Sequence, residues 1–372
     1  AASDVYKRQV LPLYFRANGY ILPKWLTSIK PTGHQYPTAN WVEYWGVKEK
    51  MLNFISSRFL ESAIILLVMS FVVYALIGLM PGDPIDLMIA ANPDLTPKDA
   101  TRLKALYGLD KPIHERYWNW LTDALQGDFG FSRTYTQPAI DILLPRMGNT
   151  AILMTVSLVF ALLIAIPIGI YAALKPYTKL DYVINLLCFA GISIPSFWLA
   201  LLLIILFAVT LAWFPAGGME TIGHGGFWDR AWYMVLPVLV LTLHSAGGFT
   251  RYMRASMLQI LRQDFIRTAR AKGIGEQRMV IAHAIRNSVM PVVTMVGLSF
   301  GALFSGALIT ETMFSWHGMG KTIYDAILGN DFNLALVGLL FATGMTLLGN
   351  FIADACQIWL DPRVSFSSLE DK

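Results

Sequence analysis

The residues of this chain that could do chemistry are few, and their spacing does not assemble them. Gly320-Lys321-Thr322 has the tail of a phosphate-binding loop, but that motif needs a glycine five positions before its second Gly, and Ser315 stands there. His34, His114, His224, His244, His283 and His317 are scattered without metal-ligand spacing. There is no His-Glu-x-x-His pair for zinc and no Gly-x-Ser-x-Gly nucleophile turn. Cys188 and Cys356 both sit inside apolar runs, which argues against a disulfide framework and against a thiolate cluster. The chain thus carries no evident means of using ATP itself, and energised work by it would draw on another polypeptide.

The elements that hold these residues explain the scarcity. Of 372 residues, 55 % are hydrophobic and 15 % charged, and the mean hydropathy is +0.51. Soluble domains carry about a quarter charged residues, so this chain cannot cover a water-facing surface of its size. Disordered chains are poor in apolar residues, which removes that class too. A polytopic all-α membrane protein remains. About 20 apolar residues cross a bilayer as a helix, and six stretches qualify, at about 59–80, 148–174, 183–212, 233–250, 288–312 and 333–358. The third contains Pro195 and is expected to tilt or bend there. The fourth is short and interrupted at Gly247-Gly248.

Basic residues set the expected orientation. Segment 251–287 holds Arg251, Arg254, Arg262, Arg267, Arg270, Lys272, Arg278 and Arg286 against Asp264 and Glu276. The link 175–182 adds Lys175 and Lys179, while 213–232 and 313–332 hold one basic residue each. The basic links are read as cytoplasmic, which places both termini inside and segment 81–147 outside. Within 81–147, Thr96-Pro97-Lys98-Asp99 reads as a helix start. A second helix is expected over 113–125, with Tyr117, Trp118, Trp120 and Leu121 suited to an interface, as a small cap on the outer helix ends. Residues 1–50 contain no Met, whereas Met51-Leu52-Asn53-Phe54 reads as a natural start. They are expected to be an N-terminal extension that is not native, with a genuine cytoplasmic extension as the alternative.

Segment 251–291 is the most informative. It runs from Arg251-Tyr252-Met253-Arg254 through Asp264-Phe265-Ile266-Arg267-Thr268-Ala269-Arg270-Ala271-Lys272-Gly273-Ile274 to Arg286-Asn287-Ser288-Val289-Met290-Pro291. The pattern predicts a helix, a glycine break and a second helix entering the next span. Small Ala269 and Ala271 permit close packing, and Gly273 allows positive φ without a Cβ clash. By composition alone the loop would touch lipid head groups, or offer a basic helix to a groove on another protein.

The order of these residues resembles the signature loop of binding-protein-dependent ABC importer permeases of the peptide and nickel class, with Thr268-Ala269-Arg270 as its core, Gly273 as its spaced glycine and Pro291 as its closing proline. Pro81-Gly82-Asp83-Pro84, Tyr107-Gly108-Leu109-Asp110-Lys111-Pro112, Gly127-Asp128-Phe129-Gly130-Phe131-Ser132, Ser193-Ile194-Pro195-Ser196-Phe197-Trp198 and Glu311-Thr312-Met313-Phe314-Ser315-Trp316-His317-Gly318-Met319-Gly320 match in the same order. The resemblance covers about 51–364 as one permease domain, leaving 365–372 as a cytoplasmic tail. It implies a type I importer permease in a bacterial inner membrane, with no cofactor on this chain. The implied partners are a second homologous permease, two cytoplasmic ATPases that bind ATP and Mg, and an external solute-binding protein. It assigns ATPase coupling to Phe265, Arg267, Thr268, Ala269, Arg270, Ala271, Lys272, Gly273, Ile274 and Pro291. Glu311 is expected to face either the pathway or the docked binding protein.

Asn185, His244 and Asn350, polar residues within spans, are read as hydrogen-bonding between helices. A self-sufficient secondary transporter or channel is the competing function, and it would call for mid-membrane acids and repeated broken helices. An intramembrane enzyme would need a nucleophile–base or metal set. The solute itself, whether dipeptide, longer peptide, nickel chelate, opine or sugar, is not encoded in these motifs.

Overall fold

The structure, a computed structural model, describes residues 26–27, 46–47, 51–78, 111–297 and 307–360. The Pro81-Gly82-Asp83-Pro84 motif, the helix expected from Thr96, the Tyr107-to-Asp110 part of its motif and the tail 365–372 lie outside the described residues. Two compact units are distinguished, Ala1–Ser62 with Ile358–Lys372, and Ala63–Gln357. The first contains one short antiparallel pair, β1 (Leu26–Thr27) and β2 (Gly46–Val47). Otherwise the described elements are helical, as the apolar runs require.

Helix α1 (Met51–Gly78) carries the first apolar run, and α2 (Ile113–Leu125) is the expected cap helix. Tyr117 of α2 is buried, and its hydroxyl meets Ser70 Oγ at 2.6 Å on α1. Phe71 and Tyr74 meet its ring edge-on. The cap therefore packs on the first span. Helix α3 (Ala139–Leu174) follows, then α4 (Lys179–Ser193) and α5 (Ser196–Leu203), which continues as a wider-wound stretch, Ile204–Thr210. The two halves of this third run meet at 101°. Pro195 lacks the N–H that would continue α4, and it drives Ile194 into extended backbone (φ −75°, ψ 122°). The expected bend is thus a break.

Helix α6 (Phe227–Leu261) corrects the reading of the fourth span as short and interrupted. It passes through Gly247 and Gly248 unbroken, because Gly247 serves close packing. A Cβ on Gly247 would sit 2.7 Å from the Cys188 carbonyl oxygen of α4. Gly169 of α3 lies as close to α6, its Cβ position being 2.8 Å from the Thr250 carbonyl oxygen. Without a hydrophobic driving force between helices in lipid, such backbone approach is what lets them associate. Residues 251–261, assigned to the basic loop from sequence, belong to this helix. The loop proper holds α7 (Asp264–Ala271) and leads into α8 (Glu276–Gly297), which crosses as the fifth candidate span. Helices α9 (Leu308–Met313), α10 (Met319–Leu328) and α11 (Phe332–Leu360) complete the chain. Among the described residues, five helices are long and apolar enough to cross a membrane, and the bent α4–α5 pair makes six if it forms one span.

A buried ion pair ties α4 to α6. Arg254 donates from Nε and Nη2 to the two Asp181 oxygens at 2.7 and 2.6 Å. Asp181 is 2 % exposed and also accepts from the Tyr177 N–H, at 2.9 Å. Asn185 donates to its carbonyl and carboxylate, both at 2.8 Å. The Asn185 hydrogen bonds thus run within α4, where bonds between helices were expected, and they hold the acid that makes the inter-helix link. The opposite end of α3 is fastened to α11 through Asp331, which is buried. Its Oδ1 accepts from Leu334 N–H at 3.3 Å and so caps α11, while Oδ2 accepts from Ser132 Oγ and from Thr134 N–H at 2.9 Å. Burial pushes this carboxyl's pKa up, but the hydrogen bonds from Ser132, Thr134, Arg133 and Leu334 outweigh it and leave the group below the usual carboxylate value.

Two outcomes are expected. Asp181→Ala leaves the half-buried Arg254 charge without its partner and should be destabilising, by at most about 3 kcal/mol. The double variant Asp181→Ala/Arg254→Met should recover most of that in thermal unfolding in detergent, and equal loss in both would contradict the pairing. Because the folded-state pKa of Asp331 is depressed, its stabilisation is full above the unfolded value of about 3.9 and is lost as pH falls through the folded value. The wild-type melting temperature should therefore drop further than that of Asp331→Asn between about pH 5 and about pH 2.

Candidate functional site

The basic segment folds as a two-faced helix. Ile266 and Ala269, three residues apart on α7, are buried against Ala173 at the end of α3, Met257 of α6, and Met279 and Ala284 of α8. The other face stands clear: Phe265 is 43 % exposed, and Arg267, Thr268, Arg270, Ala271 and Lys272 are exposed as well. Arg270 pairs with Glu276 at 2.9 Å, and Arg267 lies 3.5 Å from Asp264. Exposed pairs of this kind contribute little to stability, so the face stays available. Gly273, at φ +75°, ends the helix and donates its N–H to the Arg270 carbonyl at 2.9 Å. Ile274 then turns back into the buried cluster.

Nine of the residues assigned to coupling therefore share one short segment, but they do not share one role. Ala269 is 7 % exposed and offers no surface, so its part is packing. Ile266, which was not singled out, is the fully buried anchor. Its signal was available, since it is the large apolar residue three positions before Ala269. Pro291 lies within α8, away from the exposed face of α7.

Glu311 requires a correction. Expected to face a pathway or a partner, it is 0 % exposed at the other end of the molecule. One carboxylate oxygen accepts from Thr150 Oγ1 of α3, and the other accepts from the Lys321 N–H at 3.0 Å. Thr150 Oγ1 in turn accepts from the Met319 N–H at 2.8 Å. The first turn of α10 is thereby hydrogen-bonded from within the protein. Gly318 is glycine because a Cβ there would run into the Glu311 carboxylate. Gly320-Lys321-Thr322, the phosphate-loop imitation, is this same filled helix start. Thr150 and Ala173 lie 23 residues apart on α3, about 34 Å of helix rise, so Glu311 and the basic segment form two separate places.

Between them lies a cleft of about 310 Å³ lined by α3, α4, α6 and α8. Its polar lining includes His244, Ser245 and Tyr252 of α6 and Ser157 of α3, and the remainder is mainly apolar, with Met154, Leu158, Ile192, Leu241, Phe249 and Met295. His244 stands at the midpoint of the 35-residue α6, and Ser157 lies near the middle of the 36-residue α3. The expected inter-helix hydrogen bond of His244 is absent among the described residues, and the side chain is exposed in the cleft. Ionisable groups within spans face a bundle interior or a water-filled cavity. His244 lines this mid-helix cleft.

Comparison with known proteins identifies the family. The family described as "Binding-protein-dependent transport system inner membrane component" matches residues 165–366, and its N-terminal companion, "Binding-prot-dependent transport system membrane comp, N-term", matches 51–142. The oligopeptide transport system permease protein AppB of Bacillus subtilis is 38 % identical over 319 residues, covering 85 % of this chain and all of that protein. The di/tripeptide transport system permease protein DppB of Pseudomonas aeruginosa is 34 % identical, covering 84 % of this chain and 99 % of its own length. The glutathione transport system permease protein GsiC of Salmonella choleraesuis is 33 % identical, covering 85 % of this chain and all of its own. With its apolar helices and its matches from Met51 onward, the chain belongs to the inner membrane components of binding-protein-dependent transport systems, as a multi-pass permease subunit of an ABC importer.

Proposed function

We propose that this permease moves peptides, that α7 and the turn at Gly273 seat a cytoplasmic ATPase, and that the His244 cleft is this chain's wall of the solute route. The observation that carries the docking assignment is the division of α7. Ile266 and Ala269 fix one face to the body, while Phe265, Arg267, Arg270 and Lys272 are exposed on the other. A short, rigidly backed basic helix is the kind of element that fits a groove on a partner. The charge of the same region supports a cytoplasmic location for it and for both chain termini. A peptide substrate is supported by the relatives, which are named for oligopeptides, di- and tripeptides and glutathione.

The complete machine then comprises this chain, a second homologous permease, two ATPases and an external solute-binding protein. ATP and Mg reside on the ATPases, and this chain holds no cofactor. Closure of the ATPases displaces α7, and α7 carries with it the helices on which Ile266 is anchored. Because α6 runs without a break from Met257 at the anchor to His244 in the cleft, displacement at one is transmitted to the other. The Asp181–Arg254 pair takes α4 along. The route is open alternately to the two sides of the membrane.

Gly273→Pro tests the docking assignment. Proline fixes φ near −65° where the turn needs +75°, and it removes the N–H that closes on Arg270. With the assembled transporter in proteoliposomes, the variant should insert to wild-type level yet lose ATP-dependent peptide uptake. Uptake at the wild-type rate would refute the assignment of this loop.

A further inference from the structure

A second cleft, of about 540 Å³, opens at the end of α3 away from the basic segment, and no step of the proposed mechanism uses it. Its volume falls within the range of about 300–1,000 Å³ typical of small-molecule sites. Unlike the His244 cleft, it is lined by charges of both signs. Asp141, Arg146 and Asn149 come from successive turns of α3, and Glu220 and Arg230 come from the start of α6 and the link before it. Glu220 and Arg230 satisfy one another at 3.0 Å. Arg146 and Asp141 do not: among the described residues neither side chain has a hydrogen-bond or ion-pair partner, although Arg146 is half-buried.

A half-buried guanidinium without a partner is poised for an anion, and its planar fork matches a carboxylate in bidentate fashion. Among the described residues, the neighbours of Arg146 leave that position open. Asn149 is occupied, its Nδ2 donating to the His317 carbonyl at 2.8 Å. Burial, together with the positive charges of Arg146 and Lys321, lowers the His317 pKa, so the imidazole is neutral near pH 7 and does not compete for the anion. The cleft also lies one step along α3 from the route proposed above. Asn149 lines this cleft and Met154 the other, five residues apart on α3, about 7.5 Å of rise. Met154 packs there with Leu153 and the buried Trp316.

We propose that this cleft is a receiving station for the transported solute, in which Arg146 takes a free carboxylate and Asp141 an ammonium group, as on a short peptide with unmodified termini. The proposal rests on the peptide-import reading above and adds a rule of recognition to it: the permease itself, and not only its binding protein, prefers peptides with a free C-terminus.

The test pairs two peptides with one receptor. Tri-alanine and tri-alanine amide are offered to the complete transporter in proteoliposomes, with the same solute-binding protein throughout, so that only the permease varies. Hydrogen bonds to charged groups contribute about 1.5–3 kcal/mol, so Arg146→Gln should lower the ratio of acid to amide uptake about tenfold or more. Arg146→Lys should restore part of the ratio. An unchanged ratio overturns the proposal. So does an equal fall for both peptides, which would place Arg146 in packing or in contact with the binding protein. A second arm measures calorimetric binding of both peptides to the permease–ATPase assembly without the binding protein. Preference for the acid in wild type, lost in Arg146→Gln, is the expected result, and no preference in wild type overturns the station. A wild-type assembly that imports neither peptide would refute peptide import, while the calorimetric arm still decides the cleft.

Discussion

Helix α6 meets α3 and α4 backbone to backbone, and the rest of the molecule is arranged around that contact. The approach is possible because Gly169, Gly191 and Gly247 stand where the chains cross. A Cβ at Gly191 would lie 3.0 Å from the Leu243 carbonyl oxygen, and the other two positions are tighter still. Alanines fill the adjoining positions, with Ala161 and Ala165 of α3 buried against Ala246 of α6. In lipid, large apolar side chains gain nothing by leaving their neighbours for another helix, so dispersion between closely placed backbones has to hold the bundle. The Asp181–Arg254 pair then fixes how α4 lies along α6. Its carboxylate is surrounded by donors from Arg254, Tyr177 and Asn185, which is the condition under which a buried charge is tolerable.

Much of this was legible in the sequence, and what was not had a physical reason. Apolar runs of span length announce themselves residue by residue, and Pro195 marked its break because proline acts locally. Gly247-Gly248 was read as an interruption because glycine permits both a break and a close approach. Only the presence of α4 against it decides between them. Arg254 was counted as one more loop charge, since its partner lies 73 positions away on another helix. Glu311 reads as facing the pathway or a docked partner for the same reason, its hydrogen-bond partner Thr150 being 161 residues distant. In the segment assigned to coupling, the residues fall on one short helix and its turn, whose two faces the sequence does not separate. On the eight-residue α7 the buried side is marked only by the spacing of Ile266 and Ala269, one pair that the surrounding basic residues outnumber.

The anchor and the cleft share their helices. Ile266 rests on α6 at Met257 and on α3 at Ala173, and those two helices also wall the cavity around His244. From Met257 to His244 is 13 residues of unbroken helix, about 20 Å, so the two places are joined by a stiff rod and not by a loop. Mechanical continuity of this kind is a physical basis for coupling that sequence proximity alone does not supply.

The carboxylate of Glu311 has a consequence for how the 311–320 segment can change over generations. At 318 the three atoms nearest a Cβ all belong to that carboxylate, so shortening residue 311 removes the tightest obstacle there. At 320 the Leu308 Cα also stands 2.7 Å from the Cβ position, so shortening 311 does not open that site. The two glycines, two positions apart, therefore differ in kind. One is contingent on its neighbour's identity and the other on the path of the backbone, and substitutions in this segment must arrive in a fixed order if each intermediate is to remain folded.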